Sequence, residues 1–179
     1  MAPTLLLTSD GIGRSLRRMA HEILEQHPGC EPLCLVGIHT RGVPLAQRLG
    51  RLCHEFDPSR PDPLVGALDV SFHRDDLDDR VPIPKETIIP FDLAGRSVVL
   101  VDDVLFTGRT VRAALNAILD LGRASLVELA VLMDRGHRQM PIRPDYVGKN
   151  VPTARTDAVR VRLVETDGVD EVILTSGTP

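Results

Sequence analysis

A chain of 179 residues with 42% hydrophobic and 26% charged side chains can bury one core, and it is too apolar for a disordered or fibrous protein. Its net charge of -4 excludes any argument for nucleic-acid binding from the total, which leaves a locally basic face as the only basis for one. No apolar run approaches the roughly 18 residues of a membrane span, and an odd number of cysteines without a secretory leader points to a reducing cytoplasm.

Ser9 and Asp10 read as a helix start, followed by Ile12, Leu16, Met19, Ala20, Ile23 and Leu24 at the spacing of an amphipathic helix, which Pro28 and Gly29 stop. Arg14, Arg17, Arg18 and His21 form a basic stripe opposite its apolar face. Cys30 and Cys34 lie near His27 and His39, and Cys53 stands apart; zinc sites use two well-spaced ligand pairs, so buried thiols are the simpler reading. Leu33 to Ile38 is a short apolar run of the kind that forms a strand covered on both faces, and His39-Thr40-Arg41-Gly42 leads from it into a second helix.

Leu64 to Phe72 reads as a further strand, and the polar, proline-punctuated stretch to about Pro90 as a long functional loop. Ser97 to Val101 resumes a buried strand, Thr110 to Leu121 is helical with Gly122 as its stop, and Leu126 to Met133 is another strand. Strands alternating with helices imply a parallel sheet. From Asp134 onward, short apolar stretches such as Val159 to Val164 and Glu171 to Leu174 suggest short strands, some antiparallel. Proline clusters at 58–63 and 82–90 are loops, so residues 1–179 read as one domain.

The strongest local signal is the run Val98 to Thr110: apolar strand, Asp102-Asp103, then Val104-Leu105-Phe106-Thr107-Gly108-Arg109-Thr110 at the start of a helix. Ligands of open parallel sheets sit beyond the carboxyl ends of the strands. Backbone N–H groups and hydroxyls at Thr107 to Thr110 suit a phosphate dianion at a helix N-terminus, and a pair of carboxylates beside it suits the hydroxyls of a ribose. An acidic helix cap is the plain alternative for the Asp pair alone. A Walker-type site lacks its glycine and lysine pattern.

An apolar strand, two acids, a short linker and Thr-Gly-x-Thr resembles the 5-phosphoribosyl-1-pyrophosphate (PRPP) signature of type I phosphoribosyltransferases. His39-Thr40-Arg41-Gly42, Arg74-Asp75-Asp76-Leu77, Asp134-Arg135-Gly136-His137-Arg138 and Tyr146-Val147-Gly148-Lys149-Asn150 extend the resemblance to the bifunctional pyrimidine operon attenuator and uracil phosphoribosyltransferase family, from about residue 12 to residue 164. The fold implied is α/β, a central mostly parallel sheet flanked by helices, with a small hood and a flexible loop. The reaction implied joins uracil N1 to the anomeric carbon of PRPP, giving uridine monophosphate (UMP) and pyrophosphate, with Mg²⁺ bound alongside PRPP.

The resemblance also implies roles. Thr40, Arg41 and Gly42 hold pyrophosphate, in part through a strained peptide, and Arg74, in a mobile hood from Phe72 to about Pro90, closes over it. A surface arginine before a helix and solvated loop charge are the plain alternatives for Arg41 and Arg74. Arg41, Arg74, Asp102 and Asp103 are the catalytic set, and residues 102–110 bind PRPP. Arg135 and the backbone near Val159 read the base; pairing of Arg135 with Asp134 or solvent, and plain core packing for Val159, are the alternatives. Purine relatives carry a basic carboxylate where Phe106 stands here. The family's second activity is binding of a pyrimidine-gene leader mRNA, responsive to UMP and UTP. It maps to Arg17, Arg18, His21, Arg138, Arg143 and Lys149, with Arg155 nearby, although Gln26 replaces the usual arginine and aromatic residues are only 3%. A homodimer or higher homo-oligomer is implied, and no membrane partner. A salvage phosphoribosyltransferase without an RNA role and a catalytically silent nucleotide-sensing regulator are the alternatives.

Overall fold

The computed structural model describes residues 3–29, 31–73 and 84–177. Arg74, residues 75–83 and Cys30 therefore lie outside the described residues. The chain opens with β1 (Thr4–Thr8), a strand that the apolar spacing did not announce. α1 (Ser9–Gln26) follows at once. Its N-cap is Thr8, one residue before the expected start, with Oγ1 accepting the Gly11 N–H at 3.3 Å. Ile12, Leu16, Met19, Ala20 and Ile23 are buried as their spacing requires.

β2 (Cys34–Ile38) is buried at every position and leads into α2 (Gly42–Phe56). β3 (Leu64–Leu68) is shorter than expected: Asp69 breaks the apolar run, and residues 71–73 form a single 3-10 turn. β4 (Ser97–Leu105) is longer than expected. Its pairing with β5 (Leu126–Asp134) continues past Val101, as Asp102 opposite Val131 and Val104 opposite Met133, so the acidic pair lies within the strand rather than beyond it. α3 (Arg109–Leu121) connects the two strands and ends at Gly122.

β6 (Tyr146–Asn150) pairs parallel with β5 and completes a five-stranded parallel sheet in the order β3-β2-β4-β5-β6. The antiparallel expectation for the last quarter holds only for β7 (Ala158–Arg162) and β8 (Glu171–Thr175). With β1 these make a three-stranded sheet, β1-β8-β7, so the small hood is built where the two ends of the chain meet, whereas the resemblance places it at 72–90. The one-turn helix α4 (Val164–Asp167) links β7 to β8.

Two apolar layers sandwich the parallel sheet. Val99 and Val101 pack with α1, α2 and the hood residues Val161 and Val172, while Val98, Leu100 and Val131 pack with Val111, Ala114 and Ile118 of α3. Burial of each large aliphatic side chain contributes about 1.5–3 kcal/mol, so these layers fix where β4 ends. The hood is fastened by charge as well. Arg48 of α2 meets Glu165 at 2.6 Å and Asp170 at 2.8 Å, and Arg41 meets Asp167 at 2.7 Å.

Candidate active site

Side chains alternate between the two faces of a strand, so the Asp pair divides at the end of β4. Asp102 follows Val98 and Leu100 onto the α3 side. The residue is 7% exposed, and its carboxylate accepts the Asp103 N–H at 2.9 Å. Asp103 follows Val99 and Val101 toward α2 and the hood, and accepts the Val104 N–H at 2.8 Å. Burial raises the Asp103 carboxyl above the usual carboxylate range, against the lowering effect of the Val104 N–H and of nearby Arg41. An acid in that state gains from any cation or hydroxyl donor that arrives.

Asp102 lines a cleft of about 310 Å³ together with Val104, Leu105, Phe106, Thr107, Gly108, Arg109, Thr110 and Gln139. Every residue expected to bind PRPP from this run, except Asp103, is brought together there. Gly108 is the N-cap of α3 with φ +90, a conformation natural to glycine, and a Cβ there would approach Met140 to 3.1 Å. Among the described residues no side chain caps this helix, which leaves its first-turn amides open where Gly108 to Val111 line the cleft, apart from a long bond from the Arg109 N–H to Thr107 Oγ1 at 3.4 Å.

The segment after β5 braces the loop from outside. The N–H groups of Gln139 and Met140 donate to the Thr107 carbonyl at 2.9 and 3.0 Å, and Arg109 Nε donates to Gln139 Oε1 at 3.0 Å. Gln139 is thus a site residue that the motif did not reveal, since 30 residues separate it from Arg109.

Asp103 instead faces a cleft of about 440 Å³ with Arg41, Val159, Arg160, Val161, Arg162 and Asp167. The His39–Thr40 peptide bond is cis. Arg41 donates to both carboxylate oxygens of Asp167, from Nε at 3.0 Å and Nη2 at 2.7 Å. The pairing raises Arg41 and holds Asp167 well below the usual carboxylate range. Asp167 was invisible to motif reading because it lies 126 residues away. Gly42 has a packing role that anion contact alone would not predict: a Cβ there would sit 2.2 Å from the Val101 carbonyl oxygen.

Arg135 is 6% exposed, and its guanidinium carbon lies 4.0 Å from the centre of the Phe106 ring. It donates to Thr153 Oγ1 at 3.2 Å and to the Ala154 and Arg155 carbonyls at 2.9 and 3.4 Å. Burial lowers its pKa, with Asp157 opposing from a distance. Asp134 pairs with Arg138, at 2.5 Å, and not with Arg135. Val159 is half-buried, packing on the core while lining the Asp103 cleft.

The basic residues divide by engagement. Arg14, Arg17, Arg18 and His21 share the exposed face of α1. Arg17 meets Glu55 at 3.5 Å, and the His21 ring stacks on Phe56 with centroids 4.0 Å apart. Arg18 donates to the Val147 and Gly148 carbonyls on the outer edge of β6, at 2.8 and 2.7 Å, and pairs with Glu22. Lys149 reaches the Leu6 carbonyl at 3.0 Å. Arg138 turns inward, donating to the Phe106 and Ile142 carbonyls at 3.0 and 3.1 Å, whereas Arg143 and Arg155 are exposed.

Comparison with known proteins gives the family and the fold. A model of the phosphoribosyl transferase domain family matches residues 5–166. A protein from Deinococcus deserti named bifunctional protein PyrR is 56% identical over 171 residues, covering 94% of this chain and 92% of the relative. One of the same name from Chloroflexus aurantiacus is 55% identical over 175 residues, covering 97% and 95%. Among solved structures, a hypoxanthine phosphoribosyltransferase of Trypanosoma cruzi superposes with a TM-score of 0.72 at 19% identity, over 98% of this chain and 97% of that one. That last likeness concerns the fold.

Proposed function

The chain belongs to the bifunctional PyrR family of phosphoribosyltransferases, and on that premise we propose that it makes UMP and pyrophosphate from uracil and PRPP and binds leader mRNA of pyrimidine genes as an attenuator responsive to UMP and UTP. The observation that carries the catalytic part is the cleft where Asp102, the Thr107 hydroxyl and the uncapped start of α3 converge. The α3 amides with Thr107 and Thr110 receive the 5′-phosphate, and Asp102 and Asp103 accept from the ribose hydroxyls. As the bond to pyrophosphate lengthens, positive charge grows on the ribose and negative charge on the leaving group. The two carboxylates face the first; Thr40, Arg41 and the α2 N-terminus at Gly42 face the second.

No group of three or more His, Cys, Asp or Glu residues among the described residues is placed to hold a metal. Two carboxylates at the end of β4 nevertheless fit Mg²⁺, which binds through one or two acids together with substrate phosphates. The ion, when bound with PRPP, supplies charge compensation to the pyrophosphate.

Arg135 directs guanidinium donors to oxygen acceptors and, among the described residues, makes no bond to a carboxylate. A buried cation of this kind favours a base edge rich in carbonyl oxygens, as uracil's is, and the backbone at Val159, on the Asp103 cleft, is assigned to the same base. Phe106 lies under that guanidinium.

The RNA part rests on the exposed face of Arg14, Arg17, Arg18 and His21, continued by Lys149 through the β6 edge and by Arg143 and Arg155. A homodimer or higher homo-oligomer, acting in the cytoplasm as one domain over 1–179, would join such faces from two copies. One observation favours plain salvage instead: Arg18 and Arg138 direct much of their donor capacity to the protein's own carbonyls. The test is one preparation assayed twice. Formation of UMP from uracil and PRPP with Mg²⁺, together with a UMP-dependent mobility shift of a pyrimidine leader RNA, supports the full proposal. Turnover with RNA binding no tighter than to scrambled RNA at physiological salt leaves the salvage enzyme, and RNA binding without turnover leaves a silent regulator.

A further inference from the structure

The return of the chain at residues 84–88 is tied to the sheet beside the Thr40–Gly42 loop. Asp69, the residue after β3, receives the Ser71 N–H and hydroxyl on Oδ1, at 3.2 and 2.7 Å, and the Lys85 N–H on Oδ2 at 2.9 Å. Its own N–H donates to Thr87 Oγ1 at 3.0 Å. Ile88 and Ala67 exchange two backbone bonds of 2.8 Å, and His39 Nε2 donates to the Glu86 carbonyl at 3.1 Å. Lys85 is therefore held at its own N–H and through the three residues that follow it. Its Nζ lies 2.6 Å from Thr40 Oγ1.

The loop's own cation is already engaged. Arg41 is paired with Asp167 through two bonds, and Asp103 faces the same cleft. The pair of Arg41 and Asp167 sums to zero, whereas a pyrophosphate group carries several negative charges and needs a net cation beside it. The Lys85 ammonium makes no ion pair among the described residues. Lysine is a compact charge with three donors on a flexible stem, so it can retain a hydroxyl contact while turning toward a phosphate oxygen.

We propose that Lys85 is a pyrophosphate-binding residue, delivered to the Thr40–Gly42 loop by the clasp that Asp69 makes on its backbone. The inference rests on the reading that PRPP places its pyrophosphate at this loop. The full chain with Lys85→Gln is expected to raise KM for PRPP about tenfold, while KM for uracil and Tm stay as they were. Lys85→Arg, which restores the charge, is expected to recover most of the loss. Calorimetry with inorganic pyrophosphate and Mg²⁺ should show the same ranking of the three proteins, and UMP, which has no pyrophosphate, should bind all three alike. A Lys85→Gln protein whose PRPP KM and pyrophosphate affinity stay within twofold of wild type overturns the proposal and leaves the site reading intact. So does a loss that falls equally on uracil, or one that arginine does not rescue. A wild-type protein that binds neither PRPP nor pyrophosphate overturns the site reading, and the proposal with it.

Discussion

The loop assigned to the 5′-phosphate and the loop assigned to the pyrophosphate sit at the ends of neighbouring parallel strands, yet they are constructed differently. Residues 105–110 offer backbone: a left-handed glycine, an uncapped helix start, and hydroxyls within the same short run. Residues 39–42 depend on side chains that arrive from elsewhere, Asp167 from α4 and Lys85 from the return after β3. A backbone cradle is ready before any ligand comes. A side-chain site already holds its own counter-ion, and the ligand must enter by redistributing charge.

The Asp pair is where the two loops meet, so its removal breaks the comparison most severely. Asp102→Asn combined with Asp103→Asn is expected to lower steady-state UMP formation on the order of 1000-fold. Far-UV circular dichroism should be unchanged, because both acids face clefts and each asparagine can still accept the N–H bond that its aspartate accepts now. Unchanged kinetics would mean that neither cleft handles the ribose.

The glycines sharpen the contrast at a smaller scale. Gly108 serves conformation, whereas Gly42 serves space, with the Val101 carbonyl where its Cβ would be. Gly42→Ala must push α2 away from β4, an overpacking that costs about 2 kcal/mol. Thermal unfolding without ligand should show a Tm lower by roughly 6 °C. A ligand-free Tm equal to wild type, with only PRPP binding impaired, would return Gly42 to a purely anion-binding role.

Legibility in the sequence follows the same division. The buried strands β2, β4 and β5 and the helices α1 and α3 were readable because periodicity and caps are local properties. Thr107 to Thr110 were readable because a backbone site spells itself in consecutive residues. The extension of β4 through the acids was not, since two aspartates oppose strand propensity and only the β5 ladder overrides it. β1 was missed because it pairs with β8, at the other end of the chain. Asp167, Gln139 and the inward turn of Arg138 share that cause: each role exists only through a contact between residues distant in sequence, or through carbonyls with no sequence signature.

The weakest and most specific test concerns the counter-ion that fills the pyrophosphate loop. Arg41 holds Asp167 below its ordinary value of 3.8. A carboxyl lowered in the folded state binds fewer protons there than when unfolded, so its stabilisation is fully present above the unfolded value and disappears as pH falls through the folded one. Glu165 and Asp170, both lowered by Arg48, act in the same direction on the same hood. Wild-type protein should therefore lose urea resistance steadily below about pH 5, as these clamps are protonated. Asp167→Asn removes one of the three. At neutral pH the loss should be on the order of 1 kcal/mol, as suits a pair that is partly open to solvent. At pH 3 the gap between variant and wild type should narrow, since the unfolded wild-type chain takes up a proton at Asp167 there while the folded one still resists it. A gap that stays constant from pH 7 to pH 3 would show that the Asp167 charge contributes nothing, and that the loop is held by packing, as its neighbour is held by backbone.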